Sequence, residues 1–116
     1  MRIVQVKNID NPRTGKPLAN EYIIVERDSE GERRIHRVSF QSYQTTVAIA
    51  DFDDRRVVFG RDWDCSVTTG RYRNEFFARG QFDALVGRDN VKSALDRGFV
   101  EGPDGEKWSV ELSRDF

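Results

Sequence analysis

Along the first sixty residues, apolar side chains recur at every second position, the period of a strand with one buried face. Residues 2–7 place Val4 and Val6 on one face and Ile3 on the other. The pairs Asn11-Pro12, Thr14-Gly15 and Lys16-Pro17 are turn-forming, so 8–19 are expected to be a long loop. Residues 22–26 read Tyr-Ile-Ile-Val-Glu, dense in the β-branched and aromatic types that suit a pleated surface. The polar run 28–31 predicts a tight connection. A third strand over 33–40 follows, with His36, Val38 and Phe40 on one face and Ile35 on the other. Residues 46–52 and 56–60 then form a hairpin about Asp53-Asp54, with Val47 and Ile49 facing one way and Thr46, Ala48 and Ala50 the other. The expectation is an antiparallel meander of about five strands.

Beyond residue 67 the period lengthens to that of a helix. Thr68 or Thr69 is the expected N-cap, since a hydroxyl can accept from an orphan amide two or three residues on. A helix over 68–79 puts Tyr72, Phe76 and Phe77 on the core and Arg71, Arg73, Asn74 and Glu75 towards water, and Gly80 ends it. Phe82, Leu85 and Val86 are spaced for one further helical turn before Gly87. Asp89 or Asn90 caps a second helix with the stripe Val91, Ala94 and Leu95, and Gly98 suits its C-terminal end. Residues 99–112 read as strand, turn and strand about Gly102-Pro103-Asp104-Gly105, with Trp108, Val110 and Leu112 towards the core. The fold class is α+β. A single domain over 1–116 holds an antiparallel sheet, two helices packed on it, and a C-terminal β-hairpin.

Composition narrows the function classes. Of 116 residues, 37% are hydrophobic and 34% charged, which predicts a small core under a heavily charged surface. Nineteen basic and twenty acidic side chains leave a net charge of −1, without the broad positive field that general nucleic-acid binding needs. Only local patches of either sign remain. The single cysteine, Cys65, excludes an internal disulfide, and the single histidine, His36, excludes a His-rich metal site. With no signal-type segment at residues 1–7 and no long apolar run, a cytoplasmic setting and no membrane partner are expected. No glycine-rich phosphate loop is present, and no cofactor is expected.

Candidate chemistry concentrates in residues 61–77. Asp62 and Asp64 flank Trp63, a pattern that fits contact with a cation or a basic partner, or a buried aromatic anchor whose acids close a turn. A calcium loop needs more oxygen ligands at other spacings. Ser42, Thr45, Thr46, Ser66, Thr68 and Thr69 supply hydroxyls, but a nucleophile needs a base within reach and only His36 is available. Capping and turn closure account for them. Cys65 precedes a helix start, which favours the thiolate, yet it too lacks a base partner. Arg71 and Arg73, with Arg61 and Arg79, form the main basic cluster, suited to an acidic protein surface or to phosphates, with Tyr72 between them. Glu75 supplies an i,i+4 partner for Arg71.

Two blocks carry a resemblance. Ser42-Tyr43-Gln44-Thr45-Thr46-Val47-Ala48, followed by Trp63-Asp64-Cys65-Ser66-Val67-Thr68-Thr69 and a helix ending in Phe76-Phe77, resembles a family of small proteins from bacteriophages, prophages and plasmids. Cys65 stands where that pattern usually has tyrosine. The resemblance carries no activity. It implies a setting, in which small proteins of mobile elements bind host proteins, anti-defence factors such as CRISPR inhibitors among them. The expectation is a non-enzymatic interaction protein that binds a host protein or complex through Arg61, Asp62, Asp64, Arg71 and Arg73. The alternative is a nucleic-acid-binding regulator that uses the 68–79 helix.

Overall fold

The alternation in the first sixty residues is realised as five strands in sequence order. The computed structural model describes residues 1–116, with β1 (Arg2–Asp10), β2 (Pro17–Asp28), β3 (Ile35–Ser42), β4 (Thr45–Asp51) and β5 (Arg56–Phe59). There follow α1 (Val67–Arg79), a 3-10 turn (Asp83–Leu85), α2 (Arg88–Arg97), β6 (Phe99–Glu101) and β7 (Lys107–Leu112). All seven strands form one sheet in the order β1-β2-β3-β4-β5-β7-β6. Every neighbouring pair is antiparallel except β5 and β7, which run parallel and bring Val57 opposite Val110.

One face of the sheet carries the helices. Ile23, Val25, Phe40, Ala50, Val57, Phe59, Trp108 and Val110 are buried there with Tyr72, Phe76 and Phe77 of α1 and Val91 and Ala94 of α2. Phe77 lies at the centre, 5.4 Å from the Phe59 ring, 5.0 Å from Phe76 and 5.9 Å from Phe82. Burying such a side chain contributes about 1.5–3 kcal/mol. The hairpin turn is fixed by Asp104, which accepts from Arg55 Nε at 2.6 Å and Trp108 Nε1 at 2.9 Å. Those donors lower its carboxyl pKa to about 2.

Several expectations are corrected. The loop expected over 8–19 shrinks to the residues between Asp10 and Pro17, because Asn8 Nδ2 donates to Leu18 O at 2.7 Å and the strands pair beyond it. Val47 does not alternate with Ala48; both are buried, because the β3–β4 register shifts between Phe40 and Gln41 and inserts an extra residue opposite. Val4 and Val6 do share one face, as expected, and it is the exposed one, away from the helices. Leu112, expected towards the core, is half exposed and lines a hollow with Ile49, Val58 and residues 113–116. The cap of α1 is Ser66 rather than Thr68 or Thr69: its backbone is extended, and its Oγ accepts from Thr69 N. At α2 neither Asp89 nor Asn90 caps; the N-cap is Gly87 at φ +101, whose N–H donates to Asn74 Oδ1 at 2.8 Å. The largest correction is Arg73, expected towards water but only 1% exposed.

Candidate functional site

Gly60 ends β5 against the backbone of β4. A Cβ there would collide with the Thr46 carbonyl, so only glycine lets the chain turn off the sheet this closely. Two short turns follow, with Trp63 N donating to Gly60 O at 3.1 Å and Cys65 N to Asp62 O at 3.2 Å. Ser66 then opens α1, accepting from Thr69 N and donating to Thr69 Oγ1, both at 3.0 Å. This compact entry leaves two differently charged hollows on either side of the helix start.

The basic flank is a shallow hollow of about 600 Å³ lined by Asp64, Gly70, Arg71, Arg73, Asn74 and Arg88. Arg73 forms its floor. Its Nη1 donates to Trp63 O at 2.6 Å, its guanidinium lies 5.1 Å from the Trp63 ring centre, and Asp64 Oδ1 is 3.8 Å away. Arg73 Nε has no partner. Burial lowers the pKa of this guanidinium, an effect opposed by Asp64 and reinforced by Arg88. Arg88 pairs directly with Asp64, which raises its own pKa. Arg73 therefore positions Trp63, and Asp64 is consumed by two arginines.

The acidic flank is a cleft of about 350 Å³ in which Glu21, Ser42, Thr45, Asp62, Cys65 and Thr68 are brought together. Glu21 is 3% exposed. One carboxylate oxygen accepts from Ser42 Oγ at 2.9 Å, while Oε2 has no partner. Burial raises the carboxyl pKa, and the Ser42 hydrogen bond only partly opposes this. Cys65 is exposed, with its Sγ 3.5 Å from Thr69 Oγ1. The two sequence blocks 42–48 and 63–69, remote in the chain, meet in this cleft.

No histidine serves these hydroxyls or this thiol, and the one carboxylate in hydrogen-bond contact, Glu21, meets Ser42 alone. His36 is the second residue of β3 and Ser42 the last, so at about 3.3 Å per residue they stand roughly 20 Å apart. Both ring nitrogens of His36 are occupied, Nε2 by Asp28 Oδ1 at 2.7 Å and Nδ1 by Asp53 at 2.9 Å. Hydrogen bonds donated to Asp28 and then to Asp53 raise the pKa of His36, and its proton in turn lowers those of both aspartates. No group of three or more His, Cys, Asp or Glu side chains is placed to hold a metal ion. No helix is long and apolar enough to cross a membrane.

Of the residues singled out from sequence, Arg61 and Arg71 are exposed and form no ion pair, Asp62 lies on the cleft, and Asp64 and Arg73 lie on the hollow. Sequence reasoning missed Glu21 and Arg88. Glu21 carried a signal: it is in phase with Ile23 and Val25 on the buried face of β2, where a carboxylate is out of place. Arg88 carried none.

Comparison with known proteins gives one match. The model of a family described as "Family of unknown function (DUF8033)" matches residues 5–93, a stretch that contains both flanks of the α1 start. No curated protein and no solved structure matches.

Proposed function

The chain belongs to the family of unknown function DUF8033, and since membership brings no activity with it, we propose that it is an interaction protein that binds a partner protein through the surface around the start of α1. The observation that carries this reading is the opposite polarity of the two flanks. Arg71 offers a free cation on the hollow and Arg61 a second on the exposed loop before the helix, while Glu21 and Asp62 offer carboxylates in the cleft across the same helix start. A protein surface can complement both signs at once, and such complementarity steers encounter and fixes register. Nucleic acid is disfavoured by the same argument. Arg73 is buried, Arg88 is paired with Asp64 and Arg79 with Glu75, so little positive charge is left to displace counterions.

The resemblance to proteins of phages, prophages and plasmids supports a host protein as the partner and interference with a defence complex as the purpose. Catalysis has less support, because Ser66 and Thr69 are engaged in capping and His36 is held at both nitrogens.

The test is charge reversal at exposed positions only. Arg61→Glu with Arg71→Glu, and separately Asp62→Lys, should leave the circular dichroism spectrum unchanged and remove the bacterial protein captured by the tagged wild type. Capture that survives both variants sinks the placement. A gel-shift titration across salt checks the alternative: affinity that falls steeply with log salt would favour nucleic acid.

A further inference from the structure

A buried carboxylate is costly unless a counter-charge or a full set of hydrogen bonds meets it. Glu21 has neither. Its single hydrogen bond comes from Ser42, its Oε2 is unpartnered, and it takes part in none of the ion pairs of the chain. The other buried charge near the helix start, Arg73, is on the opposite flank, lining the hollow and not the cleft. Glu21 is therefore an acid at a cleft with its counter-charge missing.

The rest of the cleft suits a cation. Asp62 adds a second carboxylate, and Thr45 and Thr68 add hydroxyl oxygens that make no side-chain hydrogen bond in the chain. Tyr43 lines it as well and is 64% exposed. Its backbone is held at φ +55, with its N–H donating to Asn20 O at 2.6 Å. A ring so placed offers the face on which an aliphatic stem or a cation rests. The volume of about 350 Å³ is many times the ~30 Å³ share of one water, enough for a head group together with its stem. The helix start opposes a cation through its partial positive charge, but that effect is confined to the first turn and meets two carboxylates.

We infer that this cleft receives a cationic nitrogen group on a flexible aliphatic stem, the ammonium of a lysine or the guanidinium of an arginine, supplied by the bound partner protein. The inference rests on the interaction reading above and sharpens it. The entering cation supplies the counter-charge of Glu21 and favours the ionised form of the carboxyl, with Asp62 at the second position and the hydroxyls of Thr45 and Thr68 accepting the remaining N–H bonds.

The experiment uses the full chain, isotope-labelled, with the Glu21 side-chain carboxyl followed by NMR. n-Butylammonium and ethylguanidinium chlorides are titrated against tetramethylammonium and sodium chlorides at matched ionic strength. The expected result is saturable shifts at Glu21 and at the amides of residues 42–45 and 65–69 with the first two salts, and a Glu21 pKa that falls as they bind. Glu21→Gln should weaken binding by about tenfold or more. Shifts no larger than those of the control salts, or equal affinity in Glu21→Gln, would overturn the site. The titration of wild-type Glu21 decides the matter even if the variant does not fold: a pKa unmoved by either probe counts against it. The source of the cation is tested with Gly-Lys-Gly and Gly-Arg-Gly peptides against spermidine. Peptide binding at least comparable to spermidine supports a protein side chain, and spermidine tighter by about tenfold or more would overturn that assignment. Probe binding that depends on Glu21 upholds the cleft even where the charge reversals leave capture unchanged, a result that sinks only the placement of the partner surface around the start of α1.

Discussion

The two ends of the β2–β3 pair treat charge in opposite ways. At one end His36 lies between Asp28 and Asp53, with Arg2 at 3.2 Å and Arg34 at 2.8 Å from Asp53, so every charge of this cluster faces an opposite one, and only Arg27 Nε beside it is buried without a partner. At the other end Glu21 and Arg73 are more deeply buried than any member of that cluster, yet each keeps one unpartnered polar atom. A closed cluster has nothing left to offer a ligand. An open one holds unspent hydrogen-bonding capacity, and a folded chain tolerates that cost most readily where another molecule relieves it. The difference separates charges that hold the sheet together from charges available for recognition.

The largest effect that would test this contrast is at Arg73. Arg73→Ala strips the donor from the Trp63 carbonyl and the cation from the Trp63 ring, and should lower unfolding free energy by about 3 kcal/mol in urea denaturation. A loss within experimental error would mean that the guanidinium is not structural. His36→Gln should cost less and be visible mainly as pH dependence. The raised pKa of His36 gives a contribution complete below its unfolded value and lost as pH rises through the folded one. The lowered values of Asp28 and Asp53 give contributions present above their unfolded values and lost as pH falls through the folded ones. The wild type should thus be most stable between these limits, and His36→Gln should flatten the alkaline side of a profile of melting temperature against pH. An unchanged profile would break the cluster's claim to be closed.

Glu21→Gln reverses the sign. Because burial raises the Glu21 pKa, its ionisation weakens the fold as pH rises past the unfolded value of about 4.3. The variant should therefore match the wild type in acid and exceed it near neutrality by about 1 kcal/mol or less. Greater stability of the wild type at neutral pH would show that the carboxylate is already satisfied. The smallest effect belongs to Arg61→Glu, exposed and without an ion pair, which should leave stability within about 0.5 kcal/mol while changing partner capture.

Much of this architecture was legible because short-range rules govern it. Period-two alternation located all five meander strands, Gly98 at φ +84 ends α2 as its position required, and the 102–105 turn closes with Gly105 N donating to Gly102 O. What escaped depends on partners distant in the chain. The extra residue at Val47 is set by the register of β3, and the parallel pairing of β5 with β7 joins segments that no local pattern connects. Arg73 was misread for another reason. It stands four residues before Phe77, on the buried stripe, and its polarity outweighed its position; its long stem is what lets a charge occupy that place. At the candidate site the exposed residues Arg61, Asp62 and Arg71 were legible from charge alone. Glu21 became recognisable only when Ser42 and the helix start were seen beside it.

The place of β7 has a consequence for how the chain comes together. It lies between β5 and β6, its Ser109 N–H donates to Arg55 O, and Ser113 N–H donates to Phe59 O. Until residues 107–113 dock, β5 is a bare sheet margin with unpaired amides and carbonyls, a template on which a second chain could build. Closing it requires a long loop that includes both helices, a slow event compared with forming the neighbouring hairpins. The family match stops at residue 93, short of the strand that seals this margin. The C-terminal hairpin thus covers the β5 margin, and a version cut after Gly98 should aggregate more than the full chain, as light scattering would show.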